Sequence, residues 1–139
     1  MSAPVKMRVM CASNKGKIKT YAVALSEAFK CRVDDVPPAY SCDKERLVVI
    51  VASLKGAPSD TLRRFCGELN SSRAHNVALV IDNESQTQGV EVLKETLRAA
   101  GTNVIDDVYY VKAGLFSGSK ITLEERTAIV KWVESIEVK

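Results

Sequence analysis

Two short runs of apolar, largely β-branched residues constrain the fold of this chain more than any other feature. They are residues 47–52 (LVVIVA) and residues 77–81 (VALVI). Runs of this length without polar alternation are typical of strands that are buried on both faces of a parallel sheet. Parallel neighbours need a crossover, usually a helix, and Leu62, Phe65, Cys66 and Leu69 recur between the runs at helical spacing. The centre of the chain therefore predicts a β-α-β unit.

The flanking segments extend this alternation over the chain, which we interpret as one domain, residues 1–139. Strands are predicted at 7–12, 31–36 and 103–112. One helix is predicted from the apolar stripe Ile18, Tyr21, Ala22, Leu25 and Phe29, and another from Val90, Leu93, Leu97 and Ala100, ending at Gly101. A further helix is predicted to begin at a capping box at 122–125, with Ile129, Val133 and Ile136 on its inner side. Ser59 or Asp60 is expected to cap the helix that contains Leu62. The order favours an α/β three-layer sandwich, with a five-stranded parallel sheet in the order 2-1-3-4-5. The stretch between the second and third strands is too short for a long helix, so an irregular crossover is expected there.

Composition excludes several classes of protein. The chain has 139 residues, of which 46% are hydrophobic and 27% charged, so it can bury a core as one domain. No run approaches the roughly 18 apolar residues of a membrane helix, and the first residues contain no signal-peptide core. We therefore expect a cytoplasmic protein with no membrane partner. The net charge of +3, without interleaved aromatic and basic residues, does not indicate a nucleic-acid partner.

Cysteine and histidine usage predicts neither disulfides nor a metal site. None of the four cysteines forms a CxxC pair. Cys11 and Cys66 lie within apolar patterns and are interpreted as small core residues. His75 is the single histidine and has no cysteine at ligand spacing.

In an open parallel sheet, ligands bind beyond the carboxyl ends of the strands, where the strand order reverses. For the order 2-1-3-4-5, that point lies between the first and third strands, where the loops at 13–19, 53–58 and 82–85 should converge. The first loop is suited to binding phosphate. Gly16 permits a tight turn, and the N-terminus of the following helix favours an anion. Ser13 offers a hydroxyl donor, and Lys15 and Lys17 add positive charge. The alternative is an ordinary strand-to-helix loop with solvated lysines.

Residues 11–25 (CASNKGKIKTYAVAL) resemble the phosphate loop and first helix of the flavodoxins, whose pattern is Ser/Thr-x-Thr-Gly-x-Thr. Ser13 and Gly16 match this pattern, whereas Lys15 and Ile18 replace its two later hydroxyl residues. Residues 47–69 resemble the third strand, flavin loop and third helix of that family, and residues 77–116 resemble the fourth strand through the fifth. The last strand has no long insertion, as in short-chain flavodoxins.

The resemblance implies a flavodoxin-like protein that binds FMN and supports electron transfer with a redox partner protein, with no catalytic side chain and no metal. The implied phosphate contacts are Ser13, Asn14, Lys15, Gly16, Lys17 and Ile18. The implied contacts around the flavin ring are Ser53, Leu54, Lys55, Gly56, Asp82, Asn83, Glu84 and Ser85. The oligomeric state does not follow from the resemblance.

The hydroxyls missing at Lys15 and Ile18, together with the added lysines, lead us to expect weak, salt-sensitive binding. Two further features depart from the family pattern. The flavin loops contain Leu54 but no aromatic residue, although Tyr40 could approach from another side. Flavodoxins that shuttle electrons are strongly acidic, whereas this chain has a net charge of +3. The alternative function is a flavodoxin-fold domain that has lost flavin and acts through protein contacts.

Two other protein classes are disfavoured. A receiver domain needs an acidic pair after the first strand and an aspartate ending the third. Ser13–Asn14 and Ala52–Ser53 occupy those places, and Lys112 alone matches. A small tyrosine phosphatase needs Cys-x5-Arg, but the residue at that distance from Cys11 is Lys17. A lysine does not replace the bidentate fork of arginine.

Overall fold

The computed structural model describes residues 6–12, 16–54, 57–82, 87–111 and 120–139. In chain order the elements are β1 (Met7–Ala12), α1 (Gly16–Phe29), β2 (Arg32–Asp35), β3 (Glu45–Ser53), α2 (Asp60–Glu68), β4 (Ala74–Asp82), α3 (Thr87–Ala100), β5 (Asn103–Val104), β6 (Tyr109–Val111) and α4 (Leu123–Glu134). None of the helices in these residues is long and apolar enough to cross a membrane.

The strands form one sheet in the order β2-β1-β3-β4-β5, and β6 also pairs with β4. Every pairing between the described strands is parallel. Val49 of β3 lies in register with Val9 of β1 on one side and with Ala78 of β4 on the other, and all three are fully buried. The predicted 2-1-3-4-5 order is therefore confirmed, with β3 and β4 central and buried as expected.

The prediction of one continuous last strand over residues 103–112 was wrong for its middle. The structure has two short strands there, β5 and β6, both parallel to β4. The interruption contains Asp106 and Asp107, a residue type that is depleted in strands. Their carboxylates form hydrogen bonds with side chains of two helices. Asp106 accepts from the Arg98 guanidinium of α3 at 3.0 Å, and Asp107 accepts from the Trp132 indole N–H of α4 at 2.9 Å. Lys112 lies outside the described residues.

Helices cover both faces of the sheet, because alternate side chains of the central strands point in opposite directions. Val48, Ile50 and Ala52 of β3 pack in a core with apolar residues of α2 and α3. Leu47, Val49 and Val51 pack in a second core with α1 and α4. This arrangement is the expected three-layer sandwich. Cys11 and Cys66 are 1% and 0% exposed, which confirms them as core residues.

The crossover from β2 to β3, residues 36–44, contains no helix, as its length predicted. This crossover covers a buried ion pair between Arg8 and Asp34. The Arg8 side chain is 6% exposed, with Nη2 lying 2.8 Å from Oδ2 of Asp34, and the same Nη2 donates to the carbonyl of Tyr40 at 2.7 Å. Such a buried pair needs its remaining donors satisfied, and the irregular crossover supplies this carbonyl.

Local capping signals fix the helix ends. The hydroxyl of Ser59 accepts from the backbone N–H of Leu62, so Ser59, and not Asp60, is the N-cap of α2. Thr122 and Glu125 form the predicted capping box of α4. Gly101 follows α3 with φ of 109°, a left-handed conformation that favours glycine.

Candidate functional site

The carboxyl ends of β1, β3 and β4 lie side by side at one edge of the sheet. Ala12 is in register with Ala52, and the next residue of β3, Ser53, is in register with Asp82 of β4. The sheet therefore brings together the places from which the three predicted ligand loops depart. Of the predicted site residues, Gly16, Lys17, Ile18, Ser53, Leu54 and Asp82 are described. Ser13, Asn14, Lys15, Lys55, Gly56, Asn83, Glu84 and Ser85 lie outside the described residues.

The helix α1 begins at Gly16, inside the loop predicted at 13–19. The loop prediction was therefore wrong for residues 16–19, which form the first turn of the helix. The carbonyl of Gly16 accepts from the hydroxyl of Thr20 at 2.8 Å. Ile18 is 0% exposed and packs in the core beneath the helix. Its side chain therefore has no access to a ligand, and any contribution of Ile18 to anion binding comes from its backbone N–H. The first N–H groups of a helix have no acceptor within the helix itself.

The side chain of Lys17 does not point freely into solvent. Its Nζ lies 3.0 Å from Oε2 of Glu125 in α4, and the Lys17 side chain is 10% exposed. The hydroxyl of Tyr21, one turn further along α1, donates to the same carboxylate oxygen at 3.0 Å. The ammonium predicted to serve the phosphate loop is thus held by an acidic residue from the last helix.

These contacts shift the pKa values of Glu125 and Tyr21. The pKa of Glu125 falls to about 2, because its carboxylate accepts from the Thr122 backbone and from Lys17 and Tyr21, which outweighs its partial burial. Burial, followed by the hydrogen bond to Glu125, raises the pKa of Tyr21 well above its ordinary value. The three side chains therefore form one charge-assisted network between α1 and α4.

The ends of β3 and β4 are joined by polar contacts at the same edge. The hydroxyl of Ser53 donates to Oδ2 of Asp82 at 3.3 Å, and the N–H of Leu54 donates to the Asp82 carbonyl at 3.5 Å. Asp82 is 7% exposed. Leu54, expected to face a flavin ring, is 3% exposed and packs in the core with α2 and α3. In this conformation its side chain contributes to the core instead of to a ligand surface.

A cleft of about 410 Å³ opens between the carboxyl ends of β1 and β2 and the start of α2. Cys11 and Ala12 of β1, Asp35 of β2, and Ser59 and Thr61 of α2 contribute to its lining. The carboxylate of Asp35 lies 3.6 Å from Nζ of Lys19 in α1, and both side chains are well exposed. Sequence reasoning identified Ser59 only as a helix cap, and it missed Asp35 and Thr61. Ser59 and Thr61 could have been predicted as site residues from their position at the start of the helix that follows the third strand.

The aromatic residues lie elsewhere than the sequence suggested. Tyr40 is 68% exposed and stacks on the guanidinium of Arg32 at 5.5 Å, beside the start of β2 and away from the carboxyl edge. Tyr110 of β6 is in register with Ile81 and is 36% exposed near that edge. Its neighbour Tyr109 packs on Trp132 with ring centroids 5.3 Å apart. Sequence reasoning placed Tyr110 in a strand and did not consider it for the site.

Cysteine ionisation and metal binding were the remaining kinds of chemistry to consider among the described residues. Cys31, Cys42 and Cys66 are free thiols. Burial raises the pKa of Cys66 to about 12 and that of Cys31 to about 11, so neither of these two thiols ionises at neutral pH. Among the residues that the structure describes, no group of three or more acidic, cysteine or histidine side chains could hold a metal ion.

Comparison with known proteins gives the fold its name. No protein-family profile matches the sequence, and no curated protein matches it either. Among solved structures, the chain is similar to a flavodoxin of Streptococcus pneumoniae TIGR4, with a TM-score of 0.66, 12% identity, and coverage of 92% of this chain and 94% of the other. It is also similar to a short-chain flavodoxin associated with a non-canonical PDU bacterial microcompartment, with a TM-score of 0.61, 17% identity, and coverage of 94% and 95%. With its parallel sheet in the order 2-1-3-4-5 and helices on both faces, this chain has the flavodoxin-like fold.

Proposed function

We propose that the protein binds FMN at the carboxyl edge of the sheet and supports electron transfer. The observation that carries this proposal is the position of the cleft. It opens at the carboxyl end of β1 and beside the start of α2, the helix that follows β3, and so it adjoins the reversal of strand order between β1 and β3 at which this topology binds ligands. The similar solved structures are flavodoxins, which favours a flavin as the ligand.

The described residues fit the phosphate end of FMN better than its ring. The first turn of α1, from Gly16, offers backbone N–H groups and the positive end of a 14-residue helix. Ser53 and Asp82 would lie below the ring, where their polar atoms are tied to each other. When bound, the flavin supplies the redox chemistry, while the protein binds and orients it.

Binding is expected to be weak and dependent on salt. Lys15 and Ile18 replace two hydroxyl residues of the flavodoxin pattern, and each hydrogen bond lost to a charged group costs roughly 1.5–3 kcal/mol. Lys17 is held by Glu125, so its charge is largely compensated before a ligand arrives. The attraction that remains between exposed lysines and a phosphate is screened by salt.

Titration of the purified apo-protein into FMN, followed by quenching of flavin fluorescence, tests this proposal. We expect saturable quenching at low salt, weaker binding at high salt, and weaker binding still for riboflavin, which lacks the phosphate. Lys15→Thr restores one hydroxyl of the pattern and should make binding tighter and less salt-dependent. Amide NMR during a phosphate titration should move the resonances of Gly16 to Lys19. Absence of saturable quenching at high protein concentration and low salt would contradict FMN binding.

The burial of predicted ligand residues favours a second candidate, a flavodoxin-fold domain that acts through protein contacts without flavin. Ile18 and Leu54 are 0% and 3% exposed, so their side chains are committed to the core. A protein that neither quenches FMN nor shows phosphate-dependent shifts would support this second function.

We place the protein in the cytoplasm and expect a redox partner protein if flavin is bound. The net charge of +3 favours a partner with an acidic docking surface, because complementary potentials steer association. Complex formation that weakens steeply with salt would support an acidic partner.

A further inference from the structure

A second, smaller cleft of about 140 Å³ lies between the helix-free β2–β3 crossover and α2. It adjoins the larger cleft, because Pro37 and Thr61 line both. Phe65 and Leu69 form part of its wall and are 9% and 1% exposed, so the cleft has an apolar floor. It lies where the short crossover leaves α2 uncovered by a further helix.

Two arginines, Arg64 of α2 and Arg73 of the turn before β4, line this cleft. Neither has a carboxylate within ion-pair distance among the residues that the structure describes. Other arginines of the chain do have such partners, namely Arg8, Arg32, Arg63, Arg98 and Arg126. Glu68 also lines the cleft but pairs with neither arginine there. The lining therefore carries one more positive than negative charge, and its guanidinium groups are not committed to an acidic side chain.

Both arginines project from backbone that is held in place. The N–H of Arg73 donates to the carbonyl of Asn70 at 3.0 Å and to its side-chain oxygen at 3.1 Å. The carbonyl of Arg73 accepts from the N–H of Glu45 at 2.9 Å, which ties the turn to β3. Arg64 lies next to the buried Phe65 in a helix whose first turn is capped by Ser59. The backbone at both positions is therefore already ordered before a ligand binds.

We propose that this cleft binds a small organic anion, with its carboxylate or phosphate between Arg64 and Arg73 and its apolar body against Phe65 and Leu69. The planar fork of arginine matches both carboxylate and phosphate oxygens. The volume suits a single ring, since an engineered cavity of roughly 150 Å³ binds benzene. Thr61 adds a hydroxyl at the side shared with the larger cleft. This site is independent of flavin binding and is tested without flavin.

Titration of the full chain with benzoate, monitored by methyl and aromatic NMR, tests the proposal. We expect saturable shifts at Leu69 and Phe65. Arg64→Gln and Arg73→Gln should each weaken binding about ten-fold or more, as expected for loss of a charge-assisted hydrogen bond. Glu68→Gln should strengthen binding, because it removes the negative charge from the lining. Arg63→Gln is the matched control on α2, since Arg63 pairs with Asp60 and does not line the cleft.

Three further probes separate the ligand classes. Phenyl phosphate binding more tightly than benzoate would assign a phosphate ligand, and the reverse would assign a carboxylate. Inorganic phosphate should bind more weakly than phenyl phosphate, because it lacks the apolar body. Benzyl alcohol has the ring without the charge, and binding as tight as that of benzoate would overturn the proposal. Equal weakening by Arg63→Gln, or no saturable shift with benzoate and phenyl phosphate, would also overturn it.

Discussion

Nζ of Lys17 lies 3.0 Å from Oε2 of Glu125, which joins the first turn of α1 to the first turn of α4. The pair is largely shielded at the lysine and about one-third exposed at the glutamate, whose side chain is 30% exposed. It connects the predicted ligand loop to the last helix of the fold. Both stability and its dependence on pH should therefore respond to Glu125.

Glu125→Gln should destabilise the protein by about 1–2 kcal/mol, the range for a charge-assisted hydrogen bond after allowance for partial exposure. Glutamine retains the capping box with Thr122, so the change isolates the loss of charge. Urea denaturation provides the measurement. Glu124→Gln, the neighbouring acidic residue in the first turn, is the control and should change the free energy of unfolding by much less. Equal effects of the two substitutions would contradict a specific role for the pair.

Acid should remove the contribution of Glu125. Its pKa is lowered on folding from 4.5 to about 2, so the folded state favours the charged carboxylate. A depressed folded-state pKa gives stability that is fully present above the unfolded-state value and lost as pH falls through the folded-state value. The difference in unfolding free energy between the wild type and Glu125→Gln should therefore be constant above about pH 5 and shrink between pH 4.5 and 2. A difference that grows on acidification would refute this assignment.

Asn76 should be among the least tolerant polar positions. It is 0% exposed in β4, and its amide donates to main-chain oxygens of Arg46 and Lys139, while its side-chain oxygen accepts from the Asn103 amide and the N–H of Lys139. Asn76→Leu would leave several of these groups without partners, at about 1–3 kcal/mol for each that stays buried. We expect a loss of at least about 3 kcal/mol in chemical denaturation.

Replacement of the partner gives the control for Asn76. Asn103→Ala removes only one hydrogen bond to the Asn76 oxygen and should cost about 1 kcal/mol. If Asn76→Leu were no more destabilising than Asn103→Ala, the network would not stabilise this end of the sheet.

Two glycines should respond to alanine with opposite signs. Gly67 lies in α2, and an added Cβ would meet only the Thr96 methyl at 3.8 Å, an ordinary contact. Gly67→Ala should stabilise the protein by at most roughly 0.5–1 kcal/mol, because glycine is disfavoured within helices and Gly67 lies in the last turn of α2. Gly101 also has room, with Ser71 N at 3.9 Å, but its φ of 109° strains any side chain. Gly101→Ala should therefore destabilise by roughly 1–3 kcal/mol. Thermal melts of both variants decide whether backbone conformation or space controls these positions.

Local sequence predicted most of the architecture, because the relevant signals act over a few residues. The uninterrupted apolar runs of β3 and β4 indicated buried parallel strands, and the structure places both at the centre of the sheet. The capping box at Thr122 and Glu125 and the glycine after α3 marked helix ends that the structure confirms. Asp106 and Asp107 indicated the interruption between β5 and β6, because consecutive aspartates are poorly suited to a strand. The predicted continuous strand did not take this into account.

The candidate site was less predictable, because its side chains are directed by packing between distant segments. The sequence alone showed lysines in a strand-to-helix loop, and it also identified Glu125 as a capping residue. Only the tertiary structure brings Glu125 to Tyr21, 104 residues away, and to Lys17. Likewise, Leu54 follows a strand in a predicted ligand loop, but the packing of α2 and α3 takes its side chain into the core.

The sequence by itself determined the alternation of strands and helices and the order of the parallel sheet, because periodicity and right-handed crossovers leave few topologies for such a chain. The tertiary structure decided which side chains at the carboxyl edge of the sheet are buried in the core and which hold helices together. It also decided that the short crossover would leave a cleft beside Arg64 and Arg73. These outcomes depend on contacts between residues far apart in the chain, and such contacts have no signature in local hydrophobic patterns.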